Sequence, residues 1–457
     1  MLRLIQSLPL ILVLASPPSA VSRDNPTTPT AASACLVGPS AAETDYAADI
    51  DFALDQLEQQ CGHFFDLKQI DWKKVSKQFK KEAKDVETDQ QHLVLLVRLL
   101  ARLEDGHAQV RPLPAGEDVR WPEEPERTGP GIFLCESGGK VYLKNVWNDA
   151  ADLGLEPGME VVAIDGVKAG KWLDGRVETL SDTLSFSTDH QARFYAMHQG
   201  LAQEVGTRMD VELKTLERKK KQRTITYRKS NPTPWGPAFY PEGLKSTDDL
   251  NYGLLPSGHG YVQVRRCKDT VVEQMDTALA ALGQVPGLVL DFRGNSGGGF
   301  DHEQLLGRFV PEGYTLEHAK PQGSTGANQY GGPIVVIVDA TCRSAGETGA
   351  GMFKEDGRAY MIGESPTAGM SSSKTTIDLP SGLFSLYVSV ASNKGRFNDG
   401  RGIEGIGVIP HELVEYDPED LAESRDTLIE RAAALLDDFP QREVSYDPKD
   451  AGWEHGG

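Results

Sequence analysis

The run Gly332-Pro333-Ile334-Val335-Val336-Ile337-Val338-Asp339 has the apolar continuity of a buried strand. It leads through Ala340-Thr341-Cys342-Arg343 to Ser344, Ala345, Gly346 and Glu347, and then to an Ala/Gly-rich stretch ending near Phe353 that reads as a helix. A hydroxyl at such a strand-to-helix turn sits at a helix N-terminus, where free N–H groups and the helix dipole favour a developing negative charge. Ser344 is therefore a candidate nucleophile, although the same position also suits an N-cap serine that does no chemistry. A second strand-like run, 286–292, passes straight into Arg293-Gly294-Asn295-Ser296-Gly297-Gly298-Gly299. Glycines let backbone N–H groups approach a ligand closely, so this loop suits a phosphate or an oxyanion. A nucleotide-binding P-loop would need Lys and then Ser or Thr after the glycines, and Phe300-Asp301-His302 stands there instead.

The elements that must position these residues are legible from periodicity. Strand-like runs at 260–264, 288–292 and 334–338 alternate with helical patterns near 271–282 and 302–309, which implies a mixed α/β layer with parallel strands. Residues 418–436 read as one terminal amphipathic helix. Upstream, from 45 to about 103, apolar residues recur at helical spacing, ending in Glu104-Asp105-Gly106-His107. Between 128 and 230 the pattern changes to short alternating runs separated by Gly and Asp turns. The basic run Arg218-Lys219-Lys220-Lys221 there reads as a solvated hairpin turn.

Two resemblances organise these elements. The stretch Val146-Trp147-Asn148-Asp149-Ala150-Ala151-Asp152-Leu153-Gly154-Leu155-Glu156-Pro157-Gly158-Met159-Glu160-Val161-Val162-Ala163-Ile164-Asp165-Gly166 resembles a PDZ domain, a family in which a sheet edge accepts an extended peptide as an added strand. The alternative is a β-rich insertion that only supports the core. The ordered motifs Asp291-Phe292-Arg293-Gly294-Asn295-Ser296-Gly297-Gly298, Ser344-Ala345-Gly346-Glu347, Gly357-Arg358-Ala359-Tyr360-Met361-Ile362-Gly363-Glu364 and Gly405-Ile406-Gly407-Val408-Ile409-Pro410 resemble the C-terminal processing (tail-specific) serine peptidases, over residues 45 to 440. That resemblance implies an α/β fold: a crotonase/ClpP-like β/α core with an N-terminal helical subdomain and an inserted β-rich PDZ-like domain. It implies Ser344 as nucleophile and an oxyanion hole formed by an N–H of Gly297 or Gly298 and that of Ala345. It also implies protein or peptide substrates, with no cofactor and no metal.

The base is where the sequence departs from the best-known branch of that family. There a lysine follows the "GExTxG" stretch, whereas here Gly363-Glu364-Ser365-Pro366-Thr367-Ala368-Gly369 leads to Met370, which cannot accept a proton. Lys374 could substitute only if the loop were shifted. The other branch, which includes the tricorn core and chlamydial secreted proteases, uses serine, histidine and glutamate, the histidine before the PDZ-like segment and the glutamate about sixty residues after the serine. His107 and Glu404 stand at those positions. An imidazole can take the serine proton, and a carboxylate fixes the ring tautomer and stabilises the imidazolium. Among the ten histidines His302, just past the glycine loop, is the rival; His63 is expected to be packed in the helical segment and His259 lies in a turn. His411 stands where the family usually has Asp. The reading is a secreted serine endopeptidase; the alternative is a catalytically inactive peptide-binding or apolar-ligand-binding protein on the same fold.

Composition is compatible with this. At roughly 150 residues per domain, 457 residues correspond to about three domains. The expected division is 1–22 signal peptide, 23–44 linker, 45–118 helical subdomain, 125–231 PDZ-like domain, 240–440 peptidase core and 441–457 tail. A hydrophobic content of 39% and a charged content of 25% are those of an average globular chain. A net charge of -20 would repel a phosphate backbone, which argues against nucleic acid as partner. Arg3, the apolar run 8–15 and the small residues up to Ala20 form a secretory signal pattern, and no later stretch is apolar enough to span a bilayer. The mature chain is thus expected to be secreted or periplasmic, without a stable membrane span; a lipid anchor on Cys35 is the alternative. Five cysteines without a CxxC pair form neither a metal motif nor a disulfide framework; Cys35 and Cys61 could pair, and Cys135 and Cys267 are expected to be buried.

Overall fold

Runs of valine, isoleucine and leucine that are apolar at every position cannot leave either face in water, so they belong in the middle of a sheet covered on both sides. A computed structural model, which describes residues 44–228, 236–316, 322–370, 372–439 and 454–455, places them there. Seven strands are ordered Lys245–Ser246, Leu250–Leu254, Gly260–Val264, Leu288–Asp291, Ile334–Val338, Tyr360–Gly363 and Glu412–Leu413. The first three pair antiparallel and the last five run parallel. Val262, Leu290, Val336 and Met361 stand in one cross-strand row on one face. They pack with Met275 of the helix Val271–Leu282, Phe309 just beyond the helix His302–Gly307, and Phe353 of the helix Ala345–Glu355. Tyr261, Val289, Val335 and Ile362 face the other way, against Leu428, Leu435 and Leu436 of the helix Thr427–Asp437. The fold is the mixed α/β architecture that the alternating pattern implies.

Two readings of the pattern are corrected. The segment expected as one terminal helix is two, Pro418–Ala422 and Thr427–Asp437. Ser424 takes φ 58° between them. Asp426 then caps the second helix by accepting from the Leu428 and Ile429 N–H groups, while the Arg293 guanidinium and the Ala238 N–H also bind its carboxylate. The region expected to be short alternating strands also holds two helices, Ala169–Leu180 and Asp189–Met197. Leu173, Ala192 and Ala196 are buried at helical spacing, but polar residues between them mask the period. Thr188 starts the second helix by accepting from the Gln191 N–H.

Around those helices a sheet runs Ile132–Ser137, Lys140–Val146, Glu160–Ile164, Arg208–Lys214 and Lys220–Thr226. The PDZ-like stretch forms a short helix Asp149–Asp152, a turn and the strand Glu160–Ile164. Arg218, at φ 63°, lies in the hairpin turn expected of the basic run.

The N-terminal helical segment is three helices, Tyr46–Cys61, Trp72–Glu82 and Asp89–Ala101, the last opened by a Thr88/Gln91 capping box. Leu54, Leu57, Phe79, Leu96 and Leu99 pack them onto Leu386 and Val388. The strand that follows, Gln109–Pro112, pairs antiparallel with Phe384–Ser392, which pairs in turn with Ser372–Asp378. This small sheet joins the segment carrying His107 to the distant C-terminal half. Cys61, Cys135, Cys267 and Cys342 are buried free thiols, as expected for Cys135 and Cys267. The signal pattern, the linker up to residue 43 and Cys35 lie outside the described residues. Among the described residues no helix is long and apolar enough to cross a membrane.

Candidate active site

The strand Ile334–Val338 delivers the chain into a tightly braced turn. Asp339 Oδ1 accepts from the Thr341 N–H at 2.9 Å and from the Thr341 hydroxyl, whose oxygen accepts the Gly294 N–H at 2.6 Å. The Arg343 N–H donates to the Asn295 carbonyl at 3.1 Å. Ser344 follows at φ 57°, a left-handed conformation uncommon for a residue with a Cβ and a sign of local strain, and Ala345 begins the helix. The glycine loop lies directly against it. A Cβ on Gly297 would stand 2.7 Å from Ser344 Cβ and 2.8 Å from the Arg343 carbonyl oxygen, and one on Gly298 would overlap the Cys267 carbonyl. Asn295 holds this loop: its Nδ2 donates to the Val264 carbonyl at 2.8 Å and its Oδ1 accepts the Gly297 N–H at 2.9 Å. The Gly297 N–H is thus already committed to Asn295.

Glu347, one turn into the helix, is fully buried and binds three segments together. Its Oε1 accepts the Ser344 N–H at 3.1 Å and the Met370 N–H at 2.8 Å; its Oε2 accepts the Thr367 hydroxyl at 2.7 Å and the Gly369 N–H at 2.8 Å. Burial pushes its carboxyl up to about 7 against the Thr367, Met370 and Gly369 donors. The same loop reaches His107, because Met370 fills the space beside Gly106, where a Cβ would meet its Sδ at 2.6 Å. Met370 therefore fills space beside the histidine loop and offers nothing that could act as a base.

His107 is fixed through its backbone. Its N–H donates to Asp105 Oδ1 at 2.9 Å, and the Asp105 carboxylate also accepts the Ser389 N–H at 2.7 Å and the Ser389 hydroxyl at 2.9 Å. The loop is thereby attached to the strand Phe384–Ser392. Glu404 arrives on a turn between Gly402 and Gly405, both at positive φ, with its N–H on Ser392 Oγ at 3.1 Å. Glu404 Oε1 accepts from Lys68 Nζ at 3.0 Å and from Ser187 Oγ at 3.3 Å. Its Oε2 is buried without a hydrogen-bond partner, and so is His107 Nδ1. A ring nitrogen of His107 and a carboxylate oxygen each of Glu404 and Asp105 lie within 4.8 Å of one another. Burial holds the imidazole down to about 4, with Lys374 and Arg343 adding to the effect and Asp105 opposing it. The ring is consequently neutral near pH 7 and able to take a proton. Burial pushes Glu404 up to about 7, against the pull of Lys68.

This trio fits a metal poorly. Asp105 already accepts three hydrogen bonds, and Glu404 Oε1 faces an ammonium that would repel a cation.

The other candidates fall into place around it. Lys374 lies in the same neighbourhood, half-buried and held below the usual lysine range by burial, with its Nζ on the Ser372 carbonyl at 2.8 Å. His302 Nε2 is 3.1 Å from the Ala345 carbonyl oxygen, an acceptor, and its ring packs on Phe300 at 4.2 Å. His63 is exposed, not packed inside the helical segment as expected, with its ring against Phe64. His259 pairs with Ser257 Oγ at 2.9 Å. His411, which the sequence left without a role, accepts the Met361 N–H on Nδ1 at 2.9 Å and stacks on Tyr360, joining two strands of the central sheet. Sequence reasoning missed Lys68, Ser187, Ser389 and Ser392 at this site. None carries a motif, and they arrive from three separate segments, Ser389 and Ser392 on the same strand.

A largely parallel sheet covered by helices, with a strained serine facing a glycine loop, defines a mixed α/β protein of the kind seen in mature CPAF. That solved structure superposes with a TM-score of 0.64 at 12% identity, over 87% of this chain and 98% of that one. Residues 258–414 match the model of peptidase family S41. It is 27% identical to the chloroplastic C-terminal processing peptidase of Tetradesmus obliquus over 314 residues, 64% of this chain and 61% of that one. It is also 27% identical to the carboxyl-terminal-processing protease of Synechocystis sp. over 279 residues, 58% of this chain and 56% of the relative. The chain thus spans about three fifths of the length of these curated relatives.

Proposed function

We propose that this protein is a secreted serine-type endopeptidase in which Ser344 is the nucleophile, His107 the general base and Glu404 the carboxylate that orients it. One observation carries the reading: His107 Nδ1 and Glu404 Oε2 are both buried, both without a partner, and belong to side chains whose polar atoms approach within 4.8 Å. Two orphaned polar atoms of opposite hydrogen-bonding character, brought together from opposite ends of the chain, are a poor structural investment unless they meet during turnover.

In the mechanism this geometry supports, the scissile carbonyl oxygen lies toward the Gly298 and Ala345 N–H groups. His107 takes the Ser344 proton as Oγ attacks, while Glu404 Oε2 accepts the Nδ1–H and stabilises the imidazolium. The proton passes to the leaving amine, and His107 then activates the water that hydrolyses the acyl-enzyme. An edge of this β-rich sheet is where an extended substrate would add as a strand, which is the PDZ-like part of the proposal. Export follows from the N-terminal signal pattern; sequencing the N-terminus of the protein recovered outside the cytoplasm, expected to begin near residue 23, tests it.

A fluorophosphonate probe tests the chemistry. It should label wild type at Ser344 and leave Ser344→Ala and His107→Ala unlabelled, with cleavage of a denatured protein substrate lost by orders of magnitude in both variants and no further in the double variant. Full activity in His107→Ala would overturn the assignment and promote Lys374 or His302. A folded wild type that neither labels nor cleaves would make the protein a peptide-binding relative without catalysis.

A further inference from the structure

We infer that Lys68 is a positioning residue of this site: its ammonium spans the histidine loop and the glutamate, holds Glu404 Oε1, and so presents Oε2 to His107 Nδ1 as an ionised acceptor. The inference rests on the Ser344–His107–Glu404 reading above and adds to it a residue that no motif contains.

The geometry is that of a bridge. Lys68 lies between the first two N-terminal helices, and its side chain is 2% exposed. Nζ donates to Glu404 Oε1 at 3.0 Å and to the Glu104 carbonyl at 2.6 Å, and stands 5.2 Å from the centre of the Phe64 ring. Glu104 immediately precedes Asp105-Gly106-His107, so one ammonium touches both the backbone that carries the base and the carboxylate that must meet it. Gly405 makes room for this: a Cβ there would lie 2.9 Å from Lys68 Cε. Ser187 adds a second, neutral donor to the same oxygen and also accepts the Gly106 N–H at 2.9 Å. Both donors are on Oε1, so the two oxygens of Glu404 are unlike, and the free lone pairs belong to the one on Oε2.

Charge makes Lys68 more than a tether. The groups around Glu404 are Lys68, Asp105, His107, Glu347, Lys374 and the buried Cys61 thiol. Asp105 and Glu347 are acids that oppose a second buried negative charge, and Lys374 hydrogen-bonds elsewhere. Only Lys68 among these places a positive charge in direct contact with the carboxylate, where a low-dielectric surrounding makes the attraction strong. Without it Glu404 would take up a proton at higher pH. A protonated Glu404 could still hydrogen-bond, but it could not stabilise an imidazolium.

The test measures kcat, KM and the pH profile of kcat/KM for wild type, Lys68→Met, Lys68→Arg and Lys68→Gln, and for Lys68→Met in a Glu404→Gln background. Lys68→Met should lower kcat by about 100-fold or more with little change in KM, because only the transition state carries the imidazolium. Its rising limb should move to higher pH. Lys68→Arg should recover much of the rate, and in the Glu404→Gln background Lys68→Met should cost little further. If Lys68→Met fails to fold, as judged by circular dichroism, Lys68→Gln carries the test, since it keeps a donor to Oε1 but loses the charge and should show the same alkaline shift. Wild-type kcat with an unmoved limb in the folded variant would overturn the inference while His107→Ala and Glu404→Gln remain inactive. Activity in His107→Ala would instead overturn the catalytic reading beneath it.

Discussion

Ser344 is held in its strained conformation by a neighbour that does no chemistry. The Glu347 carboxylate accepts from the backbone of Ser344, Met370 and Gly369 and from the Thr367 hydroxyl. Glutamine at 347 would keep one acceptor oxygen and turn an NH2 group toward N–H donors. With at least one buried donor left unpaired at about 1–3 kcal/mol each, Glu347→Gln is expected to lower stability by about 3 kcal/mol and kcat by more than KM is raised, as read by thermal unfolding and steady-state kinetics. The other prediction at this scale concerns pH. His107 is held near 4 and Glu404 near 7, so at pH 7 the ring is neutral and the carboxylate is half ionised. As pH rises through this region Glu404 loses its proton, and kcat/KM should rise through one apparent ionisation near 7 that belongs to the Glu404–His107 pair. Glu404→Gln should abolish that limb along with most of the rate. Lys374→Met should leave the limb in place, whereas its disappearance in that variant would make Lys374 the base.

The turn that carries Ser344 works because two elements approach more closely than side chains allow. A methyl group on Gly297, at φ 83°, would press on Ser344 Cβ and the Arg343 carbonyl. Gly297→Ala should cost about 1–3 kcal/mol in stability and should lower the rate of fluorophosphonate labelling far more than the melting temperature suggests, because the loop can relieve the overlap only by moving its N–H groups away from the serine. Retained labelling would place the oxyanion donors elsewhere. Such elements were legible to different degrees in the sequence. The strands Gly260–Val264 and Ile334–Val338 and the helix Val271–Leu282 fall where their apolar runs place them, because a two-sided core leaves no polar positions to confuse the pattern. The helices Ala169–Leu180 and Asp189–Met197 did not declare themselves, since polar residues between their buried positions mask the period. The terminal helix breaks at Ser424 because Asp426 is drawn to the buried Arg293, a contact across the fold that no local pattern encodes. The site divides in the same way. Ser344 and its glycine loop were visible as local motifs, His107 and Glu404 only through their order along the chain, and Lys68 not at all.

Across the whole molecule, the β-rich sheet and the central sheet are joined by a buried ion pair. Lys144, on the strand Lys140–Val146, reaches Glu364, just beyond the strand Tyr360–Gly363, at 3.0 Å; the side chains are 2% and 12% exposed. Its ammonium also lies 4.5 Å from the centre of the Tyr416 ring and 5.2 Å from that of Phe194. Behind the pair stands Asp339, which begins the Ser344 turn. Its Oδ2 is buried without a partner, and burial, followed by the Glu364 charge, pushes its carboxyl up to about 6. Lys144→Met would leave two buried acids facing each other without a cation. Breaking a buried pair from one side costs about 3–5 kcal/mol, so the melting temperature should fall clearly at pH 7 and above. The sign with pH follows from the direction of the Asp339 shift. An acid raised above its unfolded value of 3.8 contributes stability that is fully present below that value and is lost as pH rises through the folded value near 6. Removing Lys144 takes away a charge that lowers Asp339, so the deficit of Lys144→Met relative to wild type should shrink as pH is lowered from 7 to 5, where Asp339 takes up a proton. Replacing both partners, as in Lys144→Met with Glu364→Leu, leaves no unpaired charge at 364 and should cost less than the sum of the single variants. A deficit that is independent of pH, together with additive single variants, would show that Lys144 acts through the packing of its aliphatic stem between Phe194 and Tyr416, with its charge contributing little to the junction of the two sheets.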